Sequence, residues 1–170
     1  MSGLLVVGGV SLDVLHLPDG RTVEAPGGAG LYTALGAAQA GARVMLCAPR
    51  PEPMPDVLRP AAERLDWRGP RISAAGLMRL EIAHHGGGRA TLVAAHWGAL
   101  AHFTPADLPA DLPAGAITHI AALGSALRQL EFARAVRRRG ARSGPPPSRG
   151  RRGWRAPSPE SCWAGRWPGP

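Results

Sequence analysis

The sequence predicts an α/β fold built on a parallel central sheet, and three observations carry that prediction. "GLLVVGG" (Gly3–Gly9) and "ARVMLCA" (Ala42–Ala48) are short unbroken apolar runs, the pattern of strands buried on both faces. Between them Leu31, Ala34, Leu35 and Ala38 recur at i, i+3, i+4 and i+7, which is one face of a helix. Strand, helix and strand in that order form a crossover unit whose strands run parallel.

The first strand leads into a predicted loop containing Asp13. "VLHLPDGRTVEA" follows, two extended pieces around Pro18-Asp19-Gly20, where glycine can take the positive φ of a tight turn. The helix opens on "PGGAGLYTALGAAQAG", is apolar nearly all round, and closes at Gly41, so it is predicted to be buried. Beyond a proline-rich loop, "DVLRPAAERLD" predicts a helix from Asp56 to Asp66 that Pro60 breaks or kinks. "LMRLEIAHH" and "RATLVAAHW", joined by Gly86, Gly87 and Gly88, predict a hairpin with one apolar face. Thr104 followed by Pro105 is a helix start signal, and "AITHIAAL" (Ala116–Leu123) is a third core strand. The last helix runs from Ser125 to Arg139, with Leu127, Leu130, Ala133 and Val136 toward the core and Gly140 as its stop.

Composition limits the chemistry. With 170 residues, 45% of them hydrophobic and 19% charged, the chain has the makeup of a single globular domain. All 20 basic residues are arginine, which removes both the lysine of a Walker-type phosphate loop and an amine nucleophile for Schiff-base chemistry. Cys47 and Cys162 lie too far apart in sequence to suggest a disulfide framework or a zinc site, and a reducing cytoplasm is expected. The first residues lack a basic leader and no apolar run approaches about 18 residues, so neither secretion nor a membrane span is expected. Adjacent strand positions point to opposite faces, so His84 and His85 do not make a metal pair.

From Ser143 to Pro170 the character changes. That stretch holds seven Pro, five Gly, five Arg, four Ser and three Trp, with no Leu, Ile, Val, Phe or Met. A segment of this makeup cannot bury enough apolar surface to fold, so residues 143–170 are expected to be a disordered tail. It carries +4 of the formal +8, and its arginines interleaved with Trp154, Trp163 and Trp167 could hold single-stranded nucleic acid by charge and stacking. Nucleic acid is nonetheless the weaker expectation, because GC-rich codons alone produce an all-arginine bias.

The glycines before the first helix open dihedrals closed to other residues and let a ligand approach bare amides. No G-x-G-x-x-G spacing can be placed there, so a dinucleotide site is not expected. Taken together, "GGVSLDV" after the first strand, "PGGAGLYTALGAAQAGA" at the first helix and the later glycine-centred hairpin resemble the N-terminal half of the PfkB family of carbohydrate kinases, over residues 3 to about 142. The resemblance implies an incomplete ribokinase-like three-layer fold in residues 1–142, with a small β lid formed by 14–25 and 77–97. It implies a sugar or nucleoside as small-molecule partner and possible homodimerisation through the lid. It places Asp13 on substrate hydroxyls and lays the backbone of Gly27 and Gly28 against the substrate. Where family members carry asparagine this chain has Tyr32, which would offer either a hydroxyl or a flat apolar wall, or simply core packing. ATP and Mg2+ are implied by the resemblance alone. The family's glycine-rich motif with its aspartate base, of the G-A-G-D type, does not occur in these 170 residues, so no catalytic residue is assigned and the chain is expected to be inactive as a kinase. The abrupt loss of aliphatic residues after Gly140 gives the expectation of a frameshifted or truncated C-terminus, and a non-catalytic sugar-binding or dimerising remnant is the alternative reading.

Overall fold

The structure is a computed structural model that describes residues 3–113, 115–140 and 142–143. Along the chain run β1 (Leu4–Val7), β2 (Ser11–His16), β3 (Thr22–Gly27), α1 (Ala29–Gln39), β4 (Val44–Cys47), β5 (Arg50–Pro51) and α2 (Arg59–Ala62). Next come β6 (Asp66–Arg68), β7 (Arg71–Ile72), β8 (Arg79–Gly86), β9 (Arg89–His96), β10 (Ile117–Ile120), α3 (Ala126–Arg138) and β11 (Arg142–Ser143).

Five strands form a central sheet in the order β11-β10-β1-β4-β6, each pair parallel. β1 lies at its middle, with Leu4 opposite Val44 on one side and Ile117 on the other. Leu5, Val6 and Val7 are fully buried, because strand side chains alternate and both faces of β1 are covered. Leu5 and Val7 face a core that includes Phe103, Phe132 and Val136 of the α3 side. Phe103 and Phe132 stack there with ring centroids 5.0 Å apart. Val6, Val44 and Leu46 face the other way, onto Leu31 and Ala34 of α1 and Leu58 beside α2.

A second sheet of four strands, β3-β2-β8-β9, rises from the C-terminal end of β1. β2 pairs antiparallel with β3 and parallel with β8, and β8 pairs antiparallel with β9 through the Gly86-Gly87-Gly88 turn. Its polar side is tied across strands: His16 shares hydrogen bonds with Thr22 Oγ1 at 3.0 Å and Glu81 Oε1 at 2.6 Å, and Arg79 pairs with Glu24 at 3.1 Å. This sheet takes in much of the segments 14–25 and 77–97, with β2 beginning at Ser11 and β3 running on to Gly27. β5 and β7 form a separate two-stranded pair.

Several expectations are corrected. Asp13 stands within β2 and not in a loop, because the alternation of "SLDVLH" allows Ser11–His16 to pair on both sides. The helix expected over Asp56–Asp66 is a 3-10 turn (Asp56–Leu58) and the single turn α2, and the chain then extends as β6, parallel to β4 with Trp67 buried. α1 is buried on one side only, through Gly30, Leu31 and Ala34, while Tyr32 is 61% exposed. α3 turns Phe132, Ala135 and Val136 inward and leaves Leu127 and Leu130 exposed, since the stacked Phe103–Phe132 pair sets its rotation. The start signal at Thr104 yields only a 3-10 turn over Pro105–Asp107, with Asp107 Oδ2 accepting from the Thr104 N–H at 2.7 Å. Ser125 does cap α3, its Oγ accepting the Arg128 N–H at 3.2 Å, and Gly140 ends the segment with φ +81°. The tail expected at 143–170 lies outside the described residues beyond Ser143.

Candidate functional site

The site is built where the central sheet hands over to the lid. β1 ends at Val7 and Gly8-Gly9 follow, while α1 begins at Ala29 directly above them. The Gly30 N–H donates to the Gly9 carbonyl at 3.0 Å, which supplies one partner for the otherwise open first turn of α1. This crossing is possible only without side chains. A Cβ on Gly30 would lie 2.7 Å from the Gly8 carbonyl carbon, and a Cβ on Gly28, whose φ is +100°, would lie 2.5 Å from the Gly9 oxygen.

Asp13 and Gly27 come together through the β2–β3 ladder. Ser11 pairs with Gly27 and Asp13 with Ala25, and the two-residue period puts Ser11, Asp13 and Gly27 on one face. Asp13 is 8% exposed, and its Oδ1 accepts the backbone N–H of Leu80 from β8 at 3.2 Å, which fixes the carboxylate. Its Oδ2 turns to Gly27: a Cβ there would collide with Oδ2 and would lie 2.6 Å from Ser11 Oγ. Ser11 is completely buried, and its Oγ has no hydrogen-bond partner among the described residues. A buried carboxylate and an orphaned buried hydroxyl beside a missing side chain can take ligand hydroxyls, which donate to Oδ2 and exchange hydrogen bonds with Oγ.

Ser11 was not singled out from the sequence. The signal was available in "SLD", where a serine two residues before the aspartate shares its face once both are read as strand. Tyr32 lies in the first turn of α1, where its hydroxyl donates to the Pro26 carbonyl at 2.8 Å and its ring is exposed. That geometry excludes core packing. Cys47, at the end of β4, has its thiol pushed up to about 12, first by burial and then by the nearby Asp66 carboxylate, so it offers no thiolate.

ATP and Mg2+ do not fit this constellation. The one glycine-rich helix start among the described residues is flanked by a buried carboxylate, which repels phosphate, and no lysine is present to draw phosphates in. Among the described residues no group of three or more His, Cys, Asp or Glu side chains is placed to hold a metal ion. An open depression of about 780 Å3 lies at the opposite end of the sheet, lined by Gly3, Leu4, Arg43, Val44, Arg64 and Asp66. Ligands of parallel α/β sheets bind beyond the carboxyl ends of the strands, which is the Asp13 and Gly27 end. Among the described residues no helix is long and apolar enough to cross a membrane.

A parallel sheet carrying a small β sheet at the carboxyl end of its strands is a ribokinase-like fold. The comparisons agree on the fold. The chain superposes on a probable sugar kinase from Rhizobium etli with a TM-score of 0.66 at 18% identity, covering 84% of this chain and 55% of that one. It superposes on adenosine kinase from Sinorhizobium meliloti with a TM-score of 0.63 at 16% identity over 84% and 55%, and on ribokinase from Cryptococcus neoformans, solved with ADP, with 0.56 at 20% over 70% and 40%. In sequence it is 37% identical over 86 residues to a cytidine kinase from Thermococcus kodakarensis, 50% of this chain and 31% of that protein. No family model matches the chain. It therefore carries the N-terminal part of the ribokinase-like fold, and it spans about half the length of the first two solved structures and under a third of the curated relative.

Proposed function

We propose that these residues form the acceptor side of a PfkB-type kinase site, one that holds the hydroxyls of a sugar or nucleoside that is phosphorylated at another hydroxyl. The observation that carries this reading is the convergence on Gly27 of Asp13 Oδ2 and the unpartnered Ser11 Oγ. A polyol donating to Asp13 gains charge-assisted hydrogen bonds, and the absence of a side chain at Gly27 is what lets the carboxylate stand beside Ser11. ATP with Mg2+ is the donor that the family resemblance implies. The residues described here provide no seat for it, so no transfer step is derived through them.

Calorimetry and thermal shift with pentoses, hexoses and nucleosides test the proposal. At least one class should raise the melting temperature, and Asp13→Asn should weaken its binding about 10-fold or more, since hydrogen bonds to charged groups are worth about 1.5–3 kcal/mol. The asparagine can still accept the Leu80 N–H, so the fold is spared. If no hydroxylated ligand binds, or Asp13→Asn binds as well as the wild type, the proposal is wrong.

A dimerising role for the lid has one observation in its favour. Every residue of β9, an edge strand of the lid, is exposed, with Leu92 at 59% and Val93 at 55%. An open edge with apolar side chains is suited to a second copy of the chain, and analytical ultracentrifugation would show a monomer throughout if that role is absent.

A further inference from the structure

We infer that the depression at the amino-terminal end of the central sheet is a binding site for a small organic anion, a compact oxyanion such as phosphate or carboxylate carried on an apolar body. It lies at the opposite end of the sheet from Asp13 and Gly27 and stands independently of the acceptor-site reading. The depression, about 780 Å3 in volume, spans the starts of four neighbouring strands: Leu4 at β1, Arg43 and Val44 at β4, Arg64 and Asp66 at β6, and Pro113 in the approach to β10. That volume suits a small ligand, and Leu4, Val44 and Pro113 supply apolar wall.

The charges that line it do not cancel. Asp66 is answered by Arg68, whose Nε donates to it at 2.5 Å and whose Nη1 reaches Asp111 at 3.4 Å. Arg64 donates to the side-chain oxygen of Gln39 at 2.7 Å, a neutral partner that orients the guanidinium without neutralising it. Arg43 makes no ion pair among the described residues, whereas Arg21, Arg59, Arg68, Arg71 and Arg79 each meet a carboxylate. Two uncompensated guanidinium groups on the rim of an apolar-walled hollow focus positive potential into it. The planar fork of arginine matches the oxygens of a phosphate or carboxylate, and the walls take up an apolar body attached to it. A neutral polyol gains neither contribution.

The test is calorimetry on the full chain at about 0.1 M salt, where distant exposed charges are screened, with phenyl phosphate, benzoate, phenol and inorganic phosphate. Phenyl phosphate or benzoate should bind, and the tighter of the two identifies the oxyanion. Phenol and inorganic phosphate, each lacking half of the ligand, should bind about 10-fold or more weakly. Arg43→Gln and Arg64→Gln, both at exposed positions, should each weaken the ring anion about 5-fold, the upper range of an exposed ion pair. Arg89→Gln, the same loss of charge at the exposed start of β9, should change nothing. Binding by neither ring anion overturns the inference, as do phenol binding as tightly as phenyl phosphate, a loss shared equally by Arg89→Gln, and affinity indifferent to both Arg43→Gln and Arg64→Gln. Asp13→Asn should leave the affinity unchanged, and an effect of that variant would put the anion at the acceptor end and overturn the inference. Failure of the anion site therefore leaves the acceptor-site reading standing, and failure of that reading leaves the anion site standing.

Discussion

Replacing Gly27 by alanine separates a site glycine from a merely structural one. The φ of Gly27 is outside the left-handed region, so alanine carries no backbone penalty there, and the whole cost comes from what the new methyl meets. It would collide with Asp13 Oδ2 and lie 2.6 Å from Ser11 Oγ and 2.8 Å from Asp13 Cγ. The carboxylate has little room to retreat, being 8% exposed and held by the Leu80 N–H at 3.2 Å. Moving it sacrifices a hydrogen bond to a charged group, about 1.5–3 kcal/mol, and overpacking adds a term of similar size. Loss of backbone freedom in the unfolded chain returns about 0.4–1 kcal/mol, which leaves a net destabilisation of about 2–5 kcal/mol. Urea unfolding measures it, and calorimetry with the best ligand should show binding lost as well. The double variant Asp13→Ala, Gly27→Ala removes the collision with the carboxylate and leaves only Ser11 Oγ, at 2.6 Å, so its destabilisation should fall short of the sum of the singles. A Gly27→Ala protein within about 0.5 kcal/mol of wild type that still binds ligand would refute the reasoning.

Three further predictions follow from Arg128 and Cys47. Arg128 donates to the carbonyls of Leu100, Leu123 (3.1 Å) and Phe103 (2.7 Å), tying α3 to the turn after the lid, so Arg128→Met should cost about 2–3 kcal/mol in urea unfolding; an unchanged midpoint would show that these bonds are not needed. Burial raises the Cys47 thiol to about 12 in the folded chain, whereas the unfolded chain ionises near the ordinary 9.0 and loses its proton first, so stability should fall as pH rises from 9 towards 12. With Cys162 replaced by serine, Cys47 should react with a thiol-disulfide reagent at pH 8 only on unfolding, and fast labelling of the native chain would contradict its burial.

The central strands were legible because burial on both faces leaves an unmistakable mark: Leu5, Val6 and Val7 are all apolar and all fully buried. The lid was legible as two hairpins but not as one sheet, since the parallel pairing of β2 with β8 joins residues as distant in sequence as Leu15 and Ile82. β6 left almost no trace, for three residues with a buried tryptophan between Asp66 and Arg68 carry too little periodicity to outweigh a neighbouring helical pattern. On α3 the spacing of Leu127, Leu130, Ala133 and Val136 described a plausible face, yet the aromatic stack of Phe132 on Phe103 outweighed it. The site followed the same rule. Asp13, Gly27 and Gly28 were expected as site residues from their motifs, whereas placing Ser11 on the same face as Asp13 needed the strand assignment that "SLDVLH" supports but a loop expectation concealed.

The glycines around the start of α1 divide by what blocks a side chain at each. Gly28 and Gly30 face backbone atoms of the Gly8–Val10 segment, 2.5 to 2.9 Å from where a Cβ would stand, so the docking of α1 on the end of β1 requires them whether or not a ligand binds. Gly36, further along α1, meets nothing within 4 Å and marks no requirement at all. Gly27 alone is closed by polar side chains, and those side chains are a buried carboxylate and a hydroxyl without a partner. Folding gains nothing from leaving Ser11 Oγ unsatisfied beside Asp13, because a buried orphan costs about 1–3 kcal/mol. Because Asp13 Oδ2 already fills the place of a Cβ at Gly27, the glycine serves to admit the carboxylate beside Ser11, and the proposed acceptor role requires a ligand hydroxyl to reach Ser11 Oγ past that carboxylate.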